Sequence, residues 1–149
     1  MIFVIEDNEI MARCLARMIR KGLTKKNSKE ASALGIAGKE KTDKASASGI
    51  AGKTGVEEVK IYHNAYEAME GLTDEVPELI FLDILLDGVD GFTFLHEIMS
   101  YEDTAKIPIV LVTSLKMKGD LSVYGVKGVL NKETMTPREI EKYVKEYTK

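Results

Sequence analysis

The chain has 149 residues, which suits one domain with a buried core of its own. Its formal net charge of −3 disfavours nucleic acid as a partner, because phosphate backbones select basic surfaces. No apolar stretch is long enough to span a bilayer and the first residues do not form a signal peptide, so we expect a cytoplasmic protein without a membrane partner. The single cysteine, Cys14, falls among apolar residues at helical spacing, which predicts a buried thiol.

Five short apolar runs predict β-strands. The first, third and fourth are continuous rather than alternating, which is typical of parallel strands covered by helices on both faces. The second and fifth are weaker and predict strands nearer the edges of the sheet. In chain order the runs are Ile2–Ile5, Val59–Tyr62, Leu79–Leu82, Ile109–Val112 and Gly128–Leu130.

Helical patterns separate these strands. The first begins after Asn8, and we expect it to end at Gly22, because glycine commonly terminates helices. A second helix follows Asn64, and apolar spacing within Phe92–Met99 marks a third.

The last two helical patterns differ in strength. The stretch from Lys116 to Tyr124 predicts a poor fourth helix, because Gly119 interrupts it. The final helix begins at a capping box, Thr136–Glu139, with proline at its first position. Strand and helix therefore alternate five times, which predicts a doubly wound α/β sheet with ligands at the carboxyl ends of the strands.

Residues from about 24 to 55 interrupt this alternation with a segment rich in Lys, Ala, Ser and Gly. Within it, the repeat Ala31–Lys39 returns as Ala45–Lys53 with one difference. We interpret residues 1–149 as one domain with a mobile or loosely structured surface insertion at about 24–55. Ala47–Thr54 resembles a phosphate-binding P-loop, but a polar repeat precedes it where a P-loop needs a buried strand.

Acidic residues follow two of the predicted strands. Glu6 and Asp7 come after the first, and Asp83 follows the third. Side chains at the carboxyl ends of neighbouring parallel strands meet at one edge, where clustered acids raise one another's pKa unless a cation neutralises them. Oxygen ligands on loops suit Mg²⁺, which bridges carboxylates to a phosphate.

A hydroxyl and an ammonium are expected at the same edge. Thr113 ends the fourth strand and Lys132 follows the fifth. Each residue alone is weak evidence, but Mg²⁺, lysine and a hydroxyl donor together are what a transferring phosphoryl group requires.

Four motifs in the correct order resemble the receiver domains of two-component response regulators. They cover nearly the whole chain except the insertion: Phe3–Asn8, Ile80–Gly91, Pro108–Ser114 and Gly128–Lys132. The resemblance implies a flavodoxin-like, five-stranded parallel sheet in the order 2-1-3-4-5 with helices on both faces.

The resemblance also implies the role of each residue at the edge. Asp83 would be the phospho-acceptor and Asp7 the main acidic Mg²⁺ ligand, with Glu6 binding through water and the Leu85 backbone carbonyl completing the protein ligands. Thr113 and Lys132 would contact the phosphoryl group. The chain departs from the family pattern at Asp87 and Glu133, where proline is usual, and at Val129, where an aromatic residue is common.

The favoured function is a signalling switch. A histidine kinase or phosphotransfer protein would supply the phosphoryl group, and a downstream protein would recognise the phosphorylated form, with no catalysis beyond the domain's own phosphorylation and dephosphorylation. One alternative is a phosphorylation-independent docking module. Another is a Mg²⁺-dependent phosphohydrolase, which is less favoured because such enzymes place the nucleophile after the first strand in an Asp-x-Asp pattern, whereas here position 85 is leucine.

Overall fold

The computed structural model describes residues 1–33 and 58–149. Within these ranges one five-stranded sheet has the order β2-β1-β3-β4-β5, and all its neighbouring strands are parallel. The strands are β1 (Ile2–Ile5), β2 (Val59–Tyr62), β3 (Leu79–Leu82), β4 (Ile109–Thr113) and β5 (Val126–Asn131). The helices are α1 (Glu9–Ala33), α2 (Ala65–Asp74), α3 (Gly91–Met99) and α4 (Pro137–Tyr147). The predicted fold class and strand order are confirmed.

Apolar clusters cover both faces of the sheet. Successive residues of β1 alternate between them, with Phe3 and Ile5 in one cluster and Ile2 and Val4 in the other. The first cluster contains residues of α2 and α3, and the second contains residues of α1 and α4. Because helices shield both faces, β1 is buried along its whole length, as its uninterrupted apolar run predicts.

Helix α1 does not end at Gly22, so that prediction is wrong. The helix continues to Ala33. Gly22 is buried where α4 crosses, and a Cβ built there would lie 3.5 Å from the Cα of Glu141. Packing against α4 therefore offsets the cost of about 1 kcal/mol that glycine imposes inside a helix.

The longer helix also changes the predicted insertion at about 24–55. Residues 24–33 continue α1, so this part is not loosely structured. The rest of the segment, with the second repeat and the P-loop-like Ala47–Thr54, lies outside the described residues, so its assignment as a mobile or loosely structured surface insertion stays a prediction.

The prediction that Cys14 is buried is also wrong, since its side chain is exposed. Ala12, Leu15 and Ile19 form the buried face of α1. At about 100° per residue, Cys14 lies roughly 200° around the helix from Ala12, on the solvent side.

The connection between β4 and β5 is the least regular of the described links. As the poor helical pattern indicates, it contains only a short 3-10 helix, Ser122–Tyr124. Gly119 and Gly125 have φ angles of 94° and 74°, which favour glycine and interrupt a regular helix. Across the two described ranges, no helix combines the length and hydropathy required of a membrane span.

Candidate functional site at the carboxyl edge of the sheet

The predicted acidic residues meet at the carboxyl ends of β1 and β3. These strands pair in parallel with Ile5 opposite Leu82, so the residues that follow them emerge side by side. The Asp83 backbone N–H donates to the Ile5 carbonyl oxygen at 3.0 Å, which extends the pairing by one residue. The backbone thus holds Asp83 next to the start of the Glu6–Asp7 loop.

Glu6, Asp7 and Asp83 form one acidic cluster. Each offers a carboxylate oxygen, and these oxygens all lie within 4.8 Å of one another. Glu6 is 1% exposed and Asp83 is 3% exposed, whereas Asp7 is half-buried. Two carboxylates at this depth require a nearby positive charge if both are to stay ionised.

Lys132 supplies positive charge to both buried acids. Its backbone N–H donates to the Thr113 carbonyl oxygen at 3.1 Å, which anchors it just beyond β5. Its Nζ donates to Asp83 Oδ2 at 2.7 Å and lies 2.6 Å from Glu6 Oε2. One ammonium therefore serves two buried carboxylates, and the cluster keeps an excess of negative charge.

Burial and charge shift the pKa values of this group in predictable directions. Burial raises the pKa of Glu6 above 4.5, and this effect outweighs the opposing influence of Lys132 and of the Asn8 backbone N–H. Burial lowers the pKa of Lys132, but its contacts with Asp83 and Glu6 are stronger together and raise it above 10.5. Lys132 is therefore cationic at neutral pH.

One carboxylate oxygen stands out as a candidate cation ligand. Glu6 Oε2 is buried and accepts no hydrogen bond of regular geometry from the described residues, although Lys132 approaches it as an ion pair. Three acids whose oxygens lie within 4.8 Å of one another form a donor set that fits a hard divalent cation.

Backbone N–H groups orient the acidic side chains. The Leu85 N–H donates to Asp83 Oδ1 at 3.0 Å, so both Asp83 oxygens are held. The Asp87 N–H donates to Asp7 Oδ2 at 3.2 Å, which ties the loop after β3 to the loop after β1. Asp83 is therefore fixed in orientation before any ligand binds.

Thr113 lies at the end of β4 and is fully buried. Its Oγ1 accepts a hydrogen bond from the Leu115 N–H at 3.3 Å. The side-chain contacts described above join Glu6, Asp7, Asp83 and Lys132, whereas Thr113 is linked to them by its backbone bond to Lys132.

Sequence reasoning assigned no role to Gly91, which packs against the backbone of Asp83 and Ile84. A Cβ there would lie 2.6 Å from the Ile84 Cα and 2.8 Å from the Asp83 carbonyl oxygen. The Gly91 N–H also donates to the Ile84 carbonyl oxygen at 2.9 Å. A glycine directly after the Asp90 helix cap was the signal that the backbone packs closely here.

His63 was also missed. Its Nδ1 lies 3.0 Å from the Glu6 carbonyl oxygen, so the residue after β2 contacts the loop that carries the first two acids. Its position directly after an edge strand was the available signal.

Comparison with known proteins places these observations in a family context. A family model described as the response regulator receiver domain matches residues 39–145, which is more than half of the chain. Among curated relatives, the response regulator PleD of Caulobacter vibrioides is 35% identical over 65 residues, covering 40% of this chain and 14% of that protein. The polar-differentiation response regulator DivK of Brucella anthropi is 31% identical over 81 residues, covering 52% of this chain and 66% of that protein.

Solved structures agree on the fold. A putative response regulator from Chloroflexus aurantiacus has a TM-score of 0.62 at 20% identity, covering 98% of this chain and 94% of its own. The receiver domain of a sensor histidine kinase from Pseudomonas aeruginosa, which holds a magnesium ion in its active-site cleft, has a TM-score of 0.63 at 17% identity with the same coverage. The chain spans only about a seventh of the length of the first relative, so activities of that whole protein do not transfer to it.

Proposed function

Because the chain belongs to the response regulator receiver domain family, we propose that it is a phosphorylation switch in which Asp83 accepts a phosphoryl group. The observation that carries the proposal is the surroundings of Asp83. A buried carboxylate is held by an ammonium 2.7 Å away and lies within a cluster of two further acids. Phosphoryl transfer depends on positioning and on charge stabilisation, and these groups supply both.

Asp83 is the nucleophile in this proposal. One carboxylate oxygen forms a bond to phosphorus as the bond to the leaving group breaks, and the donor keeps that electron pair. The Leu85 N–H and the Lys132 ammonium hold the two carboxylate oxygens, so the attacking group is oriented in advance. Lys132 then stabilises the negative charge that the phosphoryl oxygens bring.

We propose that Mg²⁺ is the cation of the site. Asp7 and Asp83 would bind it directly, Glu6 through water, and the Leu85 backbone carbonyl would complete the protein ligands. When bound, Mg²⁺ supplies the positive charge that lets an anionic carboxylate approach an anionic phosphoryl group. The excess negative charge beside Lys132 and the closely spaced oxygens of the three acids support this choice.

Thr113 is proposed to hydrogen-bond the phosphoryl group. Its hydroxyl accepts from the Leu115 N–H, which leaves the hydroxyl proton free to be donated to a ligand. Its place at the end of β4 sets it between the strands that carry Asp83 and Lys132.

The proposed phosphoryl donor is a histidine kinase or phosphotransfer protein, and the proposed reader is a downstream protein in the same compartment, the cytoplasm. Neither nucleic acid nor a membrane is needed for this role. The domain would catalyse only its own phosphorylation and dephosphorylation.

The proposal is tested by incubation with acetyl phosphate and Mg²⁺ followed by intact-mass measurement. Wild type should gain one acid-labile phosphoryl group, and Asp83→Asn should gain none. Asp103→Asn is the matched control, because Asp103 is an exposed acid beyond α3. Uptake that persists in Asp83→Asn would place the phosphate elsewhere and contradict the proposal.

A second candidate function is a docking module whose partner binding does not depend on phosphorylation. The irregular β4–β5 connection favours it. That link has only the 3-10 helix Ser122–Tyr124, and Val129 is 41% exposed where the family commonly has an aromatic residue. Amide spectra with and without beryllofluoride and Mg²⁺ separate the two functions. A switch should shift resonances from Ser114 to Val129, whereas a pure docking module should shift only those around Asp83.

A further inference from the structure

A groove between α1 and α4 is lined almost entirely by charged side chains. It has a volume of about 670 Å³. Its lining residues are Lys25, Lys29, Arg138, Glu141, Lys142 and Lys145. Five cations and one acid therefore meet on a chain whose net charge is −3, so the positive charge is concentrated locally.

The extension of α1 beyond Gly22 creates one wall of this groove. Lys25 and Lys29 are four residues apart and so share a face of that extension. On α4, Arg138, Lys142 and Lys145 also recur at helical spacing and form the opposite wall. The α4 wall is about 10 Å long, given a rise of about 1.5 Å per residue.

The single acid is already neutralised. Glu141 accepts hydrogen bonds from Lys25 at 3.2 Å and from Lys145 at 2.5 Å, and these contacts lower its pKa. Lys29, Arg138 and Lys142 are exposed, and none has a carboxylate partner among the described ion pairs. Among the described residues, three cations without an acidic partner therefore remain on two facing walls.

We propose that this groove binds a linear polyphosphate group, either inorganic or carried by a nucleotide. Every lining residue carries a charge and five of the six are cations, which favours an anionic ligand. Consecutive phosphates present several charges along a line, which matches the roughly 10 Å length of the cationic α4 wall. Extended nucleic acid is disfavoured because the cationic wall is short and the chain is acidic overall. The site is separate from Asp83 and does not depend on its phosphorylation.

Calorimetric titration of the full chain with inorganic tripolyphosphate, without Mg²⁺ and at low ionic strength, tests the proposal. Tripolyphosphate should bind at least about tenfold more tightly than monophosphate, since it presents more charges to the row of cations on α4. The double variant Lys29→Gln/Lys142→Gln should weaken tripolyphosphate binding by about tenfold or more. The control Lys118→Gln/Lys127→Gln removes the same charge from exposed lysines outside the groove and should change affinity by less than about twofold.

Amide spectra locate the bound ligand. A parallel titration with nucleoside triphosphate tests whether the groove prefers a nucleotide to inorganic polyphosphate. Shifts confined to α1 and α4 support the groove, and tighter binding of the nucleotide than of tripolyphosphate would identify a nucleotide ligand. Equal loss of affinity in both double variants would show a general charge effect and overturn the proposal. Tighter binding of duplex DNA or of an acidic peptide than of tripolyphosphate would overturn it as well.

Discussion

Two clusters of charge in the described part of the chain differ in burial. At the carboxyl edge of the sheet, Glu6 and Asp83 are almost fully buried and Lys132 has a 15% exposed side chain. In the groove between α1 and α4, Lys25 has a 66% exposed side chain and Lys145 a 37% exposed one. Solvent screens the groove charges, so their contacts contribute little to folding, whereas the buried charges depend on one another.

The packing around two glycines differs between these two regions in the same way. Gly91 lies against backbone beside Asp83, where a Cβ would approach to 2.6 Å. Gly22 lies beside the groove, where a Cβ would make an ordinary contact at 3.5 Å. A methyl group therefore does not fit at Gly91 beside the acidic site, whereas one fits at Gly22 in the crossing of α1 and α4.

The largest expected effect comes from removing the buried ammonium. Lys132→Met should lower the free energy of unfolding by about 3 kcal/mol without Mg²⁺, because Glu6 and Asp83 lose their shared cation. Lys142→Met, in the groove, should change it by less than about 0.5 kcal/mol. Urea unfolding in EDTA measures both. Equal losses of unfolding free energy in the two variants would show that burial does not make the charges of one cluster more important for stability than those of the other.

Gly91→Ala is expected to have the next largest effect. The new methyl group must displace backbone at Asp83 and Ile84, which should cost about 2 kcal/mol. Phosphorylation by acetyl phosphate should slow as well, since Asp83 moves. Normal stability together with a normal phosphorylation rate would show that this packing does not position the acceptor.

Glu6→Gln should stabilise the metal-free protein by about 1 kcal/mol at neutral pH, because one ammonium then faces one buried acid. The raised pKa of Glu6 means that the folded state binds its proton more tightly than the unfolded state does. Wild-type stability should therefore fall as pH rises from 4.5 through the folded pKa, and the advantage of the variant should grow over that range.

The control for that pH dependence is Glu97→Gln, which removes an exposed acid on α3. Its stability should follow the wild-type curve within about 0.5 kcal/mol. Mg²⁺ should stabilise wild type more than Glu6→Gln. An equal response to Mg²⁺ in both proteins would exclude Glu6 from the metal site.

The smallest expected effect is at Gly22. Gly22→Ala should raise the free energy of unfolding by about 0.5–1 kcal/mol, because alanine favours the helix and its methyl group fits against Glu141. Thermal unfolding measures the change. Destabilisation would show that the α1–α4 crossing is as tightly packed as the site around Gly91.

Much of the fold could be predicted because its signals are local. The continuous apolar runs predicted buried parallel strands, and the Thr136–Glu139 capping box predicted the start of α4, where the structure has it. Glycine at positions 119 and 125 explains why the β4–β5 link has no α-helix. The meeting of Glu6, Asp7 and Asp83 followed from strand order, because parallel strands bring their carboxyl ends to one edge.

The sequence by itself determined which residues reach the carboxyl edge, because the apolar runs that form strands, and the residues that follow them, are local features of the chain. Only the tertiary structure decided how those residues share charge: Lys132, held beside the end of β4 by a backbone hydrogen bond, contacts both Glu6 and Asp83. It also decided that α1 passes through Gly22, because packing against α4 comes from more than 100 residues away. Such contacts join residues that are far apart in the sequence, so local sequence patterns do not predict them.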